Sequence, residues 1–470
     1  MTRAPTNASI SSAVSADGKA NDSPLIERVL APFQRFVQTE SASGLVLLAC
    51  TVLALAWANS RWAGSYEQLW ETELTVRLGP LTGHSTLHHL INDGLMAVFF
   101  FLVGLEIKRE MLAGELASIR QAALPIAAAA GGMMVPAVLY ALVNGGTPGE
   151  PGWGVPMATD IAFALGVLAL LGDRVPVGVR VFLAALAIVD DIGAVLVIAV
   201  FYSGGIAWSA LALAGALVLL AVGANIAGVR HPWAYAAIGL VLWGAVLSSG
   251  IHATIAGVLL AMTIPARTRI DEESFLSRAR NALSRFEAAH EPGASPLQDP
   301  EHQAAVQRLE RLAEQLQPPL LRLERGLHGA VAFGIMPLFA LANAGVPLGL
   351  TSVDAAGGMR VALGIALGLI LGKPVGITLF AWVAVRLGAA SLPHGITWRS
   401  IGGAGMLGGI GFTMALFIAS LAFASAPGLL VAAKLGILGA SLVAGLGGWL
   451  VLRRGSSHRR LTGSSAQHAG

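Results

Sequence analysis

Runs of about twenty consecutive apolar residues recur along this sequence, and that pattern commits most of the chain to membrane-spanning helices. A bilayer core about 30 Å thick takes about 20 apolar helical residues to cross. Twelve runs qualify, at approximately 41–58, 87–107, 122–143, 153–171, 179–202, 207–227, 232–247, 249–264, 327–345, 361–385, 400–424 and 429–452. The seventh and eighth are short and separated only by Ser248, Ser249 and Gly250, so a re-entrant pair is an open alternative to two full spans. Charged residues make up only 12% of the chain and hydrophobic ones 55%, too little polar surface to cover a soluble body of this size. A net charge of +3 over 470 residues leaves no nucleic-acid footprint, and the single cysteine, Cys50, excludes a disulfide framework or a cysteine-rich metal site. The fold class expected is an all-α polytopic membrane protein in a lipid bilayer.

Lys and Arg sort the connections between the runs. With the N-terminus inside, 25 of the 30 basic residues fall on one side, leaving Arg61, Arg77, Arg360 and Lys434 opposite and Lys373 within a span. The basic side is cytoplasmic by the positive-inside rule, which places both termini in the cytoplasm. The expected organisation is a cytoplasmic tail over 1–40, spans one to eight over 41–265, a cytoplasmic insertion over 266–325, spans nine to twelve over 326–452, and a cytoplasmic tail over 453–470. Within the insertion, Leu276, Ala279, Leu283 and Phe286, and again Val306, Leu309, Ala313 and Leu316, recur at helical spacing about a break rich in Pro and Gly. That pattern predicts a helical hairpin with a structural or partner-binding role.

An ionisable residue inside a span costs a few kcal/mol on insertion scales, so each is a functional candidate. Asp160 lies near the middle of the fourth run, Asp190 and Asp191 near that of the fifth and Lys373 near that of the tenth, with Asp93 and Glu106 in the second. Charges paired only to hold helices together are the plain alternative for Asp160 and Lys373. The adjacent pair is harder to explain that way, because neighbouring helix positions point about 100° apart and two close carboxylates raise each other's proton affinity. Such a site can hold protons or a hard cation such as sodium, which takes oxygen ligands.

The run PGEPGWGVPMATDIAFALG around Asp160 and the run GGAGMLGGIGFTMALF at 402–417 are both poor continuous helices. Two interrupted spans, the fourth and the eleventh, that cross in opposite directions suggest inverted-topology repeats of spans three to five and ten to twelve. Broken helices expose partial charges at their ends, which gives Asp160 a role against N-terminal ends and Lys373 a role against C-terminal ends.

The strings HLINDGLMAVFFFLVGLEIKREM, PMATDIAFALGVLALLG, LAALAIVDDIGAVLVIAVFY, SGIHATIAGVLLA, IMPLFALANAGV, LGLILGKPVGI and GGIGFTMALFI together resemble the NhaA-type sodium/proton antiporters. The resemblance implies a twelve-helix bacterial inner-membrane transporter that expels sodium or lithium in exchange for external protons. It implies that Asp190 and Asp191 form the cation- and proton-binding pair that takes the transported sodium. Thr159 and Asp160 match the turn of the broken fourth helix, Lys373 the lysine that partners it, and Asp93 an accessory acid in the second. Glu106, Arg109, Glu110, Glu324 and His328 match a cluster tied to pH activation, with His252 as a further sensing candidate or a polar packing residue. Family members pair as homodimers through a small hairpin, for which residues 72–83 alternate suitably. Two departures stand out: an insertion roughly 45 residues longer than the family's usual connection, and Arg325 and Gly326 where a further histidine is common.

No cofactor is implied and no enzyme is expected. An intramembrane aspartyl protease would carry Gly-x-Gly-Asp, whereas Asp160 follows Met-Ala-Thr and Asp190 follows Ala-Ile-Val. A channel suits one asymmetric buried site less well than alternating access does. A sodium-coupled solute symporter is the alternative function, separable because it needs an organic substrate. His84, His88 and His89 fall at the expected outer edge, where solvation is the ordinary reading.

Overall fold

A computed structural model describes residues 40–78, 81–268, 270–288, 300–348, 357–393 and 395–465. The helices, in chain order, are α1 (Glu40–Ala58), α2 (Ala63–Trp70), α3 (Leu87–Ala113), α4 (Ile119–Asn144), α5 (Ile161–Leu170), α6 (Val177–Phe201), α7 (Trp208–Ile226), α8 (Pro232–Ser248) and α9 (Ile255–Thr263). They continue with α10 (Glu272–Ala288), α11 (Pro300–Leu316), α12 (Pro319–Asn343), α13 (Gly358–Arg386), α14 (Trp398–Gly408), α15 (Phe412–Ala422) and α16 (Pro427–Ser465). Among the described residues, seven of these helices, and α5 taken together with the helical turns before it from Glu150, are long and apolar enough to cross a bilayer, which makes eight spans, or up to ten if the bent pairs α1/α2 and α14/α15 each count as one. The expected seventh and eighth runs are the 17-residue α8 and the nine-residue α9, too short to pass singly. The protein is therefore an all-α polytopic membrane protein with eight to ten spans by length.

Local chemistry sets the helix ends. Thr86 caps α3 by accepting from the His89 amide at 3.2 Å, and Thr397 caps α14 by accepting from the Ser400 amide at 3.2 Å. Pro232 and Pro319 open α8 and α12, where no amide donor is needed. At the insertion, the Ser274 amide reaches the Asp271 carboxylate at 3.3 Å, which together with the Ser274 hydroxyl holds that exposed acid below its usual pKa. The outer face of α7 is apolar throughout, with Leu213, Leu219, Leu220 and Ile226 exposed and only Ala214 and Ala221 buried. Such a surface belongs against lipid.

Close backbone approach builds the core. A Cβ added at Gly131 of α4 would strike the Gly376 carbonyl of α13, and one added at Gly376 would strike the Gly131 carbonyl. The small-residue seam lets these two helices touch main chain to main chain. Residues 412–419 of α15 are all buried, and Phe417 packs on Phe100 of α3 and Phe339 of α12 with ring centroids 5.7 and 6.3 Å away.

Three expectations shift. The small hairpin forms one antiparallel pair, β1 (Glu73–Leu78) and β2 (Leu81–Thr86), with Glu73 opposite Thr86 and Leu78 opposite Leu81, so it extends three residues beyond the expected 72–83. It also puts His84 in a strand. The insertion forms two helices, α10 and α11, packed on each other, but α12 begins at Pro319, ahead of the expected boundary at 326. The backbone of α16 continues as helix to Ser465 through most of the expected C-terminal tail, while the expected N-terminal tail, apart from Glu40, lies outside the described residues.

Candidate cation and proton site

Two interruptions meet at the centre of the bundle. Pro151 and Pro156 withhold amide donors from the chain entering α5, so Glu150–Met157 forms a 3-10 turn, Ala158 and Asp160 are extended and the α-helix starts only at Ile161. Across from it, Gly409–Gly411 separate α14 from α15 with a 47° bend. The Asp160 amide donates to the Ile410 carbonyl at 2.6 Å and the Thr159 hydroxyl to the Gly408 carbonyl at 2.8 Å. One buried carboxylate serves the starts of both half-helices. Asp160 accepts from the Phe163 amide of α5 at 3.0 Å, from the Thr413 amide of α15 at 3.0 Å and from the Thr413 hydroxyl. A negative group at two helix N-termini is where the unsatisfied amides call for one.

Asp190 and Asp191 lie in the middle of the unbroken α6, both 2% exposed. Lys373 follows a π-helical turn at Gly368–Gly372 in α13, and its ammonium donates to Asp190 Oδ2 and to the Thr159 hydroxyl, the latter at 2.6 Å. Lys373 was expected against helix C-terminal carbonyls. Its contacts are side chains instead, because Thr159 stands between it and the Gly408 carbonyl and spends its own hydroxyl proton there. Gly132 of α4 makes room for Ile377 one turn past the lysine, since an added Cβ would lie 2.8 Å from Ile377 Cγ1. Asp190 Oδ1 is buried without a hydrogen bond, and Asp191 receives none from any described residue. The carboxylate oxygens left open are thus those of Asp191 and one of Asp190, the hard donors a sodium ion takes. Among the described residues no group of three or more His, Cys, Asp or Glu side chains is gathered as for a resident metal.

Asp93 stands apart from this centre. It sits in a π-helical turn of α3 and meets His89 at 2.9 Å and His252 at 3.9 Å, while its carbonyl accepts from the Trp243 indole. His252 therefore joins Asp93 and not the other sensing candidates, and its ring packs edge-on against Phe417 at 5.8 Å. The remaining candidates gather between α3 and the start of α12. Arg109 bonds Glu324 at 2.7 Å and Glu110 at 2.9 Å, and Glu110 also accepts from the Glu115 amide. Glu106 is close enough for its charge to act on Glu324 and on Asp191, and His328 on Glu324.

Two groups escaped the sequence reading. Thr413, the second partner of Asp160, was marked only by its place just after the glycine break. Asn92 and Asn343 form a buried amide pair at 2.8 Å with His88 3.2 Å from Asn343; uncharged amides in apolar runs give little signal.

The sequence matches the family described as Na+/H+ antiporter 1 over residues 34–452. Among relatives, the Na(+)/H(+) antiporter NhaA of Oleidesulfovibrio alaskensis is 54% identical over 428 residues, covering 91% of this chain and 95% of its own. That of Koribacter versatilis is 51% identical over 441 residues, covering 94% and 95%, and the Na(+)/H(+) antiporter NhaA 2 of Syntrophotalea carbinolica 50% over 429, covering 91% and 97%. A match of this extent, on a bundle whose two broken helices cross beside a buried Asp-Asp-Lys centre, means that the chain belongs to the Na+/H+ antiporter 1 family.

Proposed function

We propose that this protein exchanges sodium or lithium for protons by alternating access at Asp190 and Asp191. Sodium and protons are its substrates as a member of its family, and it is a multi-pass membrane protein of bacterial type. The observation that carries the site assignment is the unequal provision for two adjacent buried carboxylates. Lys373 neutralises Asp190, whereas Asp191 forms no ion pair with any described residue. A lone buried carboxylate is costly, so it must be covered by a proton or a cation. Only a loaded site can then cross between the two access states, and coupling follows from competition at shared oxygens. Asp160 and Thr413 hold the crossing rigid, and Thr159 orients Lys373.

In this reading cytoplasmic cations leave against external protons at the inner membrane, and both termini are cytoplasmic. The Glu106, Arg109, Glu110, Glu324 and His328 cluster adjusts activity to internal pH, Asp93 with His89 and His252 lines the opposite approach, and the hairpin strands supply edges on which a second copy pairs.

Proteoliposomes with a pH dye inside test the central claim. Asp191→Asn keeps one oxygen but loses the charge and the proton site, so sodium-driven proton movement is expected to vanish. In the unmodified protein apparent sodium affinity should weaken about tenfold for each unit that pH is lowered, per proton displaced. A sodium isotherm independent of pH, or exchange by Asp191→Asn at the unmodified rate, overturns the assignment. A requirement for an organic solute marks the symporter instead.

A further inference from the structure

A second charged cavity, of about 260 Å³, lies where the insertion meets the membrane helices. Arg230 comes from the α7–α8 connection, Arg267 from the link after α9, Arg311, Glu314 and Gln315 from α11, and Arg322 from the first turns of α12. We propose that this cavity is a binding site for a compact phosphate-bearing anion, clamped between the insertion and the bundle.

Four guanidinium groups share one cavity with a single lining carboxylate, Glu314, which takes only Arg322, at 3.2 Å. The other three have no acid partner among the described residues, and Arg267 and Arg311 are exposed, so an anion can reach them from solvent. Their donors are already partly aimed. Arg230 Nη1 is fixed on the Arg267 carbonyl at 2.6 Å, and Arg311 Nε on the Gln307 carbonyl at 3.2 Å, which leaves the terminal nitrogens of Arg311 and the whole Arg267 guanidinium unspent. Planar forks of this kind suit phosphate oxygens bidentately. The volume falls below the roughly 300–1,000 Å³ of drug-sized ligand pockets, so the ligand is a small anion or one headgroup. Filling the site also bears on transport. Arg322 is two residues from Glu324, the partner of Arg109, so an anion that ties α11 to α12 fixes the base of the sensing cluster.

The phosphate can be that of a soluble molecule or of a lipid. The full-length protein in phosphatidylcholine nanodiscs is titrated with pyrophosphate by calorimetry, and a parallel sample carries phosphatidylglycerol and is followed by thermal unfolding. Saturable, salt-weakened pyrophosphate binding that falls at least tenfold in Arg267→Gln/Arg311→Gln supports a soluble ligand. Glu314→Gln should tighten the same binding, because it removes the competing carboxylate and frees Arg322, a gain that misfolding does not produce. No pyrophosphate binding, but stabilisation by phosphatidylglycerol that the double variant loses, supports a headgroup. Should the double variant misfold, Arg311→Gln, at an exposed helix position, carries the same expectation. Neither signal, or signals unchanged in these variants, overturns the proposal.

Discussion

Replacing Lys373 by Met tests the charge logic of the centre most directly. Met keeps the length and apolar stem of lysine but removes the ammonium from Asp190 and Thr159. Thr159 keeps its bond to the Gly408 carbonyl, so its loss is small. Asp190 keeps nothing: Oδ1 already lacks a hydrogen bond and Oδ2 loses its only cation. Breaking a buried pair on one side costs about 3–5 kcal/mol. The unfolding midpoint of Lys373→Met should therefore fall by an amount equivalent to that cost. Asp190→Asn/Lys373→Met, with neither charge, should recover most of the loss. The assay is unfolding in detergent for the four members of the cycle. A Lys373→Met protein as stable as the unmodified one, or a double variant whose loss is the plain sum of the two singles, refutes the claim that Lys373 neutralises Asp190.

Gly376→Ala drives a Cβ into the Gly131 carbonyl and should lower the unfolding midpoint by an amount equivalent to at least about 1–3 kcal/mol, whereas Gly439→Ala, with open space around it, should be neutral or slightly stabilising. Glu324→Gln breaks the bond to Arg109 and His328→Ala removes an imidazole whose charge acts on Glu324; each should move the midpoint of the activity–pH profile, and unmoved midpoints in both at equal expression count against the cluster. Replacing residues 268–316 by a short flexible linker should leave exchange at saturating sodium largely intact, since the bonds of the Asp190 and Lys373 centre among the described residues are to each other and to Thr159, none of them in that segment. Exchange lost from a normally inserted variant contradicts that.

How much was readable in advance depended on the kind of interaction. Asp160, Asp190, Asp191 and Lys373 announced themselves because a charge inside an apolar run is expensive anywhere, whatever its partner. The two broken helices were visible as glycine and proline clusters, which act through the local backbone. Pairing was not legible. Lys373 could have served helix ends or a carboxylate, and only the packing of α4 against α13, set by Gly131 and Gly376, brings it onto Asp190. His252 illustrates the same limit, since nothing local to SGIHATIAG says that it meets Asp93 on α3. At α8 and α9 the sequence left two short spans or a re-entrant pair open, because apolar length measures burial, and α9 is buried against α3 so closely that an added Cβ at Gly257 would meet the Ala97 carbonyl.

The crossing at Asp160 has a mechanical corollary. One carboxylate is fastened to the first turns of α5 and α15, and the Asp160 amide and Thr159 hydroxyl fasten the same strand to the end of α14. These bonds cannot be stretched one at a time, because each holds the geometry of the next. Three half-helices, α5, α14 and α15, are thereby riveted at one point, and any change of access that spares the rivet must carry them as a single rigid piece. Sliding surfaces then lie elsewhere, along seams that bear no such fastening. α6 is the natural one, since at the crossing its polar hold among the described residues is the Lys373–Asp190 ion pair, and its other polar ties to the broken segment lie at its far end, where Tyr202 accepts from the Gly154 amide and donates to the Pro151 carbonyl.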